Sequence, residues 1–276
     1  MAKVWFITGS SRGFGEEIVR TVLAHGDRVV ATARDPSVLD KKFGENDNLL
    51  KVKLDVTNEK QAMEAAKSAI DRFGQIDVLV SNAGYGIMGA VEEASDEEIK
   101  KMYETNVFGL LGVVRAVLPE MRKQHFGYIF NISSVGGYQS GPNFGLYCST
   151  KFAVEAISEA MHAELAPLGI HVTVIEPGYF RTDFLDSSSL VESKKVIPDY
   201  AQTVGQMRQR AREKNQKQPG DPAKLALALI KLTQNKNPPL RLPLGKDSLQ
   251  AIENKNSFVA NELQTWRELS TSTDFS

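Results

Sequence analysis

A tyrosine and a lysine stand four residues apart in LYCSTKF, residues 146–152. The stretch runs into AVEAISEAMHAEL, a helical pattern. Four residues is about one helical turn, so Tyr147 and Lys151 share a face. A phenol of ordinary pKa, about 10, can give a proton to an alkoxide. To take one back it must be stabilised as phenolate, which a cation within ~4–6 Å does. Alone, such a spacing is an ordinary surface pair, and its meaning rests on the company it keeps. Cys148 beside the tyrosine reads as a small packed residue, since no histidine lies near it in sequence. The histidines at 25, 125, 162 and 171 are scattered without metal-ligand spacing, so no metal is expected.

A second chemical signal is FITGSSRGFGEE, a glycine-rich turn between a strand-like run and a helical one. Gly9, Gly13 and Gly15 allow a tight turn and let backbone N–H groups approach a pyrophosphate at a helix N-terminus. The next strand ends Ala33-Arg34-Asp35-Pro36. Arg34, with Arg12 of the glycine turn, suits a 2′-phosphate and predicts NADP(H). Asp35 as a ribose acid would instead predict NAD(H), although an aspartate before proline is also an ordinary turn or helix cap. Asp55, closing LDVT, is placed to accept from an adenine amino group or to cap a turn. Asn82-Ala83-Gly84 offers small residues against which a nucleotide could lie.

These residues sit at the ends of short apolar runs: 3–8, 28–33, 49–56, 76–82, 127–133 and 170–177. The runs are rich in Val and Ile and nearly continuous in hydrophobicity, as strands covered on both faces are. Helical patterns lie between them at 14–25, 58–73, 96–105, 107–124 and 147–166. Alternation of strand and helix predicts an α/β fold with a doubly wound parallel sheet, of Rossmann type, in a single domain over 1–276. From 183 to 220 the pattern weakens into an excursion carrying one or two helices. A strong helix is expected at 221–234, an edge strand in NPPLRLPLG, and a C-terminal helical tail over 247–276.

The 276 residues are 42% hydrophobic and 24% charged, with a formal net charge of -1. No basic stripe is interleaved with aromatics, so no nucleic acid is expected as a partner. One cysteine excludes an intrachain disulfide. The apolar run at 107–114 is too short to span a bilayer. A cytoplasmic protein without a membrane partner is the expectation.

TGSSRGFG, LDVT, SNAG, NVFG, NISS, YCSTK and PGYFRT occur in that order. Together they resemble the classical short-chain dehydrogenase/reductase family over residues 3 to about 182, with Ser81 standing where that family usually has a second asparagine. The resemblance implies Tyr147 as general acid/base, Lys151 as its partner, Ser134 as the ligand of the substrate oxygen (Ser133 being the alternative) and Asn106 as support for a proton-relay water. It also implies cofactor contacts from Thr8, Gly9, Ser11, Arg12, Gly13, Phe14, Gly15, Arg34, Asp55, Val56, Asn82, Ala83, Gly84, Asn106, Tyr147 and Lys151. Pro177, Gly178 and Thr182 would lie by the nicotinamide. Substrate contacts are expected from Val135, Gln139, Phe144, Tyr179 and Phe184, with Tyr138 also on the pocket wall. Phe180, Phe184, Leu185 and Leu190 would give a hydrophobic lid within 183–212.

The expected function is an NADPH-dependent carbonyl reductase, reversible as an alcohol dehydrogenase, on a hydrophobic ketone or aldehyde. Two alternatives stand beside it: an NAD-dependent dehydrogenase of steroid or retinoid type, and a non-catalytic NADP-sensing protein. The resemblance implies a homo-oligomer through the helices at 107–124 and 147–166.

Overall fold

The computed structural model describes residues 2–187 and 189–275. Its strands are β1 (Val4–Ile7), β2 (Arg28–Ala33), β3 (Leu49–Lys53), β4 (Val78–Ser81), β5 (Gly86–Met88), β6 (Gly127–Ile132), β7 (Ile170–Pro177), β8 (Leu190–Glu192) and β9 (Arg241–Leu244). The helices are α1 (Gly13–Ala24), α2 (Ser37–Phe43), α3 (Glu59–Phe73), α4 (Asp96–Tyr103), α5 (Gly109–Gln124), α6 (Gly145–Leu165), α7 (Gln206–Lys214), α8 (Pro222–Leu232), α9 (Lys246–Thr265) and α10 (Arg267–Thr271). Seven strands form one parallel sheet in the order β3-β2-β1-β4-β6-β7-β9. The order reverses between β1 and β4, and in such sheets the crevice at the carboxyl end of that junction takes the ligand.

The alternation within β1 explains the layering. Val4 and Phe6 face one side, packed with α3, α5 and α6; Trp5 and Ile7 face the other, packed with α1 and α8. All four are fully buried, which is why these strands read as unbroken apolar runs. Local chemistry sets several helix ends. The Asn58 side chain accepts from the Gln61 N–H at the start of α3, and Gly74 ends it in a left-handed conformation. Ser95 and Glu98 form a reciprocal capping box on α4. Asp221 caps α8, with Pro222 in its first turn.

Three differences from the sequence reading matter for the site. Helices α4 and α5 are not separated by a break at residue 106; a π-helical turn, Glu104–Phe108, joins them. The strand expected at 49–56 stops at Lys53, leaving Asp55 and Val56 to turn across the cleft. The excursion contributes β8, which pairs in parallel with β5 in a separate two-stranded sheet.

Candidate active site

The carboxyl ends of β1, β2, β4, β6 and β7 open into a cleft of about 750 Å³. One end is built by the glycine turn. Gly9 and Gly13 hold positive φ, at 67° and 55°. A Cβ on Gly15 would run into the Gly9 carbonyl oxygen and come within 2.8 Å of Asn82 Nδ2, so the turn can close against α1 only if this residue is glycine. Asn82 ties the turn to β4: its Nδ2 donates to the Thr8 and Gly9 carbonyls at 3.0 and 3.1 Å. Its backbone N–H and that of Ala83 donate to Thr8 Oγ1 at 2.9 and 3.0 Å. Thr8 and Gly15 therefore stand behind the cleft wall and shape it. Gly9, Ser11, Arg12, Gly13 and Phe14 line the wall, as do Asn82, Ala83 and Gly84 on β4's side.

Farther along, Arg34 lines the cleft and is exposed. Asp35 turns the other way: its Oδ1 accepts from the Ser37 N–H at 3.0 Å, at the start of α2. Those Ser37 hydrogen bonds hold its carboxyl below the usual range. Asp55 is both a lining residue and a turn cap, with Oδ1 accepting from Thr57 N–H at 3.0 Å and Thr57 Oγ1 at 2.8 Å. Val56 lines the same wall and packs against α5, where a Cβ on Gly109 would come within 2.8 Å of its Cγ2.

The opposite end holds the tyrosine and lysine of LYCSTKF. Tyr147 and Lys151, on the first turns of α6, are 7% and 6% exposed and both line the cleft. Lys151 Nζ lies 5.8 Å from the Tyr147 ring centroid and donates to the Ile132 carbonyl at 2.8 Å. Burial pushes the Tyr147 phenol well above its ordinary range, while the Ser134 hydroxyl beside it pulls the other way. Burial also pushes Lys151 down to about 8, and the negative charge of Glu155 opposes that shift. Ser134 caps the short 3-10 turn Val135–Gly137, its Oγ accepting from Gly136 N–H at 3.0 Å. Ser133 also lines the cleft, but its hydroxyl lies toward Glu155.

Asn106 is buried behind the lining, and its side chain is already engaged. Oδ1 accepts from Tyr85 N–H at 3.0 Å, while Nδ2 donates to the Tyr85 carbonyl at 2.8 Å and Thr150 Oγ1 at 3.0 Å. Support for a water would thus fall to its backbone, in the π turn, rather than to its side chain. Cys148 is buried, and burial raises its thiol's pKa, which keeps it protonated and inert.

The outer wall comes from the excursion and from the loop after β7. Phe184 packs on Tyr147, ring centroids 5.4 Å apart, and lines the cleft together with Leu185 and Val191. Leu190 is buried beneath them on β8. Val135, Gln139, Phe144 and Tyr179 line the same end. Tyr138 does not: its hydroxyl donates to Asn256 Oδ1 at 2.6 Å, which turns it onto α9 and corrects the expectation that it belongs to the pocket wall. Phe180 lines the cleft too and sits edge-on to Phe14 at 5.3 Å, bracing the glycine turn. Pro177, Gly178 and Thr182 all line the cleft, and a Cβ on Gly13 would lie 3.6 Å from the Thr182 Cβ. The loop after β7 thus closes over the glycine turn.

Two supporting groups have little or no signal in the sequence. Asp247, at the start of α9, accepts from the Tyr179 N–H at 2.7 Å and fills the space a Cβ on Gly178 would need. Nothing local marks it. Glu155, four residues beyond Lys151 and on the same helical face, was findable by the spacing that picked out the tyrosine–lysine pair.

Comparison with known proteins agrees with this geometry. A family model described as short chain dehydrogenase matches residues 3–192. The chain is 40% identical over 273 residues to oxidoreductase BOA17 of Botryotinia fuckeliana (strain B05.10), covering 98% of each. It is 38% identical over 246 residues to a 3-ketodihydrosphingosine reductase of Bacteroides thetaiotaomicron, covering 88% of each. Among solved structures, a short-chain dehydrogenase from Streptomyces avermitilis superposes with a TM-score of 0.91 at 39% identity over the whole of both chains. A 3-ketoacyl-(acyl-carrier-protein) reductase from Brucella melitensis, complexed with NADH, gives 0.74 at 26% identity, over 88% of this chain and 96% of that one. An alcohol dehydrogenase from Thermococcus sibiricus, complexed with 5-hydroxy-NADP, gives 0.71 at 28%, again over 88% and 96%.

Proposed function

The chain belongs to the short-chain dehydrogenase/reductase family of nicotinamide-dependent oxidoreductases, and from that premise we propose that it is an NADPH-dependent carbonyl reductase, reversible as an alcohol dehydrogenase. The observation that carries this is the meeting of a phenol, a hydroxyl and a buried ammonium at one end of a cleft whose other end is a glycine turn and Arg34. The positive-φ glycines and the space kept open by Gly15 fit a pyrophosphate. When bound, the nicotinamide supplies the hydride. The chain's own residues do the rest. Ser134 Oγ donates to the substrate carbonyl oxygen and stabilises its developing charge. Tyr147 gives that oxygen its proton, and Lys151 offers the positive charge that makes the phenol a better acid.

NADP(H) is favoured because Arg34 lines the cleft while Asp35 is committed to Ser37. The NAD(H) reading would need Asp35 to leave that cap. The non-catalytic reading would leave the buried Lys151 and Tyr147 without a purpose that repays their desolvation. Phe144, Phe184 and Leu185 around Tyr147 favour an apolar ketone or aldehyde, and similarity to an enzyme named as a ketodihydrosphingosine reductase points the same way. Val191 and Phe184 line the cleft, which supports reading the excursion as a lid. Phe108, at the end of the π turn that leads into α5, and Phe152, on α6, are 54% and 43% exposed, which supports a homo-oligomer there. No described helix is long and apolar enough to cross a membrane; a single cysteine fits a reducing compartment, the cytoplasm in this reading.

The test is a panel of apolar ketones and aldehydes with NADPH and NADH. Turnover of at least one with NADPH, lost in Tyr147→Phe, supports the reading; a Tyr147→Phe protein as active as wild type overturns it.

A further inference from the structure

Beneath Lys151 lies a cluster of charges that the proposed reaction does not itself use. Glu155 is one turn further along α6 and 5% exposed; Glu176 on β7 is 1% exposed. Arg241 on β9 bridges them: its Nε is 3.1 Å from Glu155 Oε2 and 3.7 Å from Glu176 Oε1. The same guanidinium also reaches Glu159 at 2.8 Å, at the exposed end of the cluster. From the end of β6, the Ser133 hydroxyl approaches Glu155. One part-exposed guanidinium, shared three ways, does not neutralise two buried carboxylates. Oε1 of Glu155 and Oε1 of Glu176 accept no hydrogen bond of good geometry among the described residues.

We propose that Glu155, coupled to Glu176 and clamped by Arg241, is a positioning residue whose negative charge keeps Lys151 protonated beneath Tyr147. This rests on the reductase reading for its consequence, though not for its chemistry. Lys151 meets few groups that could help it. Tyr147 precedes it by one turn, the Ile132 carbonyl accepts its proton from β6, and Asn106 lies across Gly84, where a Cβ would be 3.1 Å from Asn106 Oδ1 and 3.7 Å from Lys151 Nζ. None of these carries a negative charge at neutral pH, whereas Glu155, one turn along α6, has a carboxyl that burial raises and that Ser133 and Arg241 draw back toward the charged form. Two like charges that close do not both ionise freely, and one proton stays with the pair. Burial raises both carboxyls, Glu176 to about 7 with Glu155 beside it, while Ser133 and Arg241 draw Glu155 back down, so Glu176 is the member that keeps the shared proton longer as pH rises. Glu176, at about 7, and Lys151, at about 8, lose their protons over neighbouring ranges of pH. A second negative charge thus develops under the lysine as the pH approaches the point at which the ammonium would otherwise be lost.

The experiment follows the Lys151 ε-carbon by NMR in cofactor-free protein carrying isotopically labelled lysine, the signal being assigned by its loss in Lys151→Arg. Beside it runs the alkaline limb of kcat/KM for carbonyl reduction with NADPH. Glu155→Gln is expected to lower the Lys151 midpoint and the limb together by ~1 unit. Glu155→Asp, which keeps the charge, is expected to hold both near wild type. Glu176→Gln, neutral at every pH, is expected to give a smaller downward shift, and it serves if Glu155→Gln does not fold. A Lys151 midpoint unmoved in Glu155→Gln, or in Glu176→Gln where only that variant folds, overturns the proposal. The NMR titration decides this even if Tyr147→Phe remains active, an outcome that would sink the reductase reading alone.

Discussion

At the scale of single residues, the site works by placing ionisable groups where water cannot reach them. Tyr147 in isolation is driven by burial toward a phenol that neither gives nor takes a proton readily. Ser134 opposes that bias and Lys151 sets a cation near the ring, so losing the phenol should remove chemistry without removing the binding cleft. Tyr147→Phe is expected to cut turnover by ~100- to 10,000-fold, with NADPH affinity, read by fluorescence titration, nearly unchanged. The pH dependence has a definite sign. Lys151 is cationic below about 8 and neutral above it, so reductive kcat/KM should be flat through neutrality and fall as pH rises through that value. A rise there would mean that Lys151 is not the group that titrates. Cofactor choice is also a single-residue matter. Charge-assisted hydrogen bonds contribute about 1.5–3 kcal/mol, so Arg34→Ala should reduce the NADPH preference over NADH by ~10- to 100-fold. An unaltered ratio of the two affinities would reject Arg34 as the phosphate ligand.

At the scale of elements, the excursion is fastened to the body at two points. One is the parallel pairing of β8 with β5, which brings Leu190 against Gly86: a Cβ there would lie 2.8 Å from Leu190 Cδ1 and 3.2 Å from Tyr147 Cδ2. The other is the buried ion pair of Arg208, on α7, with Glu93. Burial would raise the Glu93 pKa, but the Ile197 and Ala90 N–H groups and the guanidinium outweigh it, so the carboxylate stays charged. Arg208→Ala leaves that charge buried without its cation, a change that costs about 3–5 kcal/mol in comparable pairs. Hydrogen exchange over 190–214 should rise well before exchange over β1 and β6 does; uniform exchange across the chain would show that the excursion is not a separate unit. Such fastenings were not legible in the sequence. The central strands were, because burial on both faces writes itself as unbroken Val and Ile. Asp221-Pro222 and Asn58 announced their helices through capping chemistry. By contrast, β5 and β8 are three residues each and pair across more than a hundred positions, leaving no local period. The π turn around Asn106 has no composition of its own; it follows from packing against Tyr85 and Thr150. That Tyr147, Lys151, Ser134 and the glycine turn would share one cleft was readable because each depends on its own residue type. Tyr138 was misplaced because only the position of α9 decides which way it turns.

At the scale of the whole molecule, the C-terminal helical tail divides into a part that belongs to the site and a part that does not. Its first turns reach back into the cleft wall. Asp247 accepts from the Tyr179 N–H at 2.7 Å, and Ser248 Oγ donates to the Glu176 carbonyl at 2.8 Å. Asn256 takes the Tyr138 hydroxyl at 2.6 Å. Beyond it, every residue from 257 to 275 is exposed, including Phe258, Leu263, Trp266 and Leu269. A chain ending at residue 257 therefore loses almost no buried surface. It should melt within ~1–2 °C of the full chain and keep its turnover. Its association state, measured by analytical ultracentrifugation, should be that of the full chain, since Phe108 and Phe152 lie at the π turn before α5 and on α6. A shift to monomer would move the oligomer contact to the tail. A chain ending at residue 245 removes Asp247 while leaving β9 and the sheet complete. The loop carrying Gly178 and Tyr179 then loses the carboxylate that holds it against the cleft. Small misplacements at a hydride-transfer site are costly, so turnover should fall by on the order of a hundredfold. Asp247→Asn, which keeps an acceptor for the Tyr179 N–H, should retain most of it. Equal activity in the chains ending at 245 and 257 would show that the tail's first turns have no part in the site.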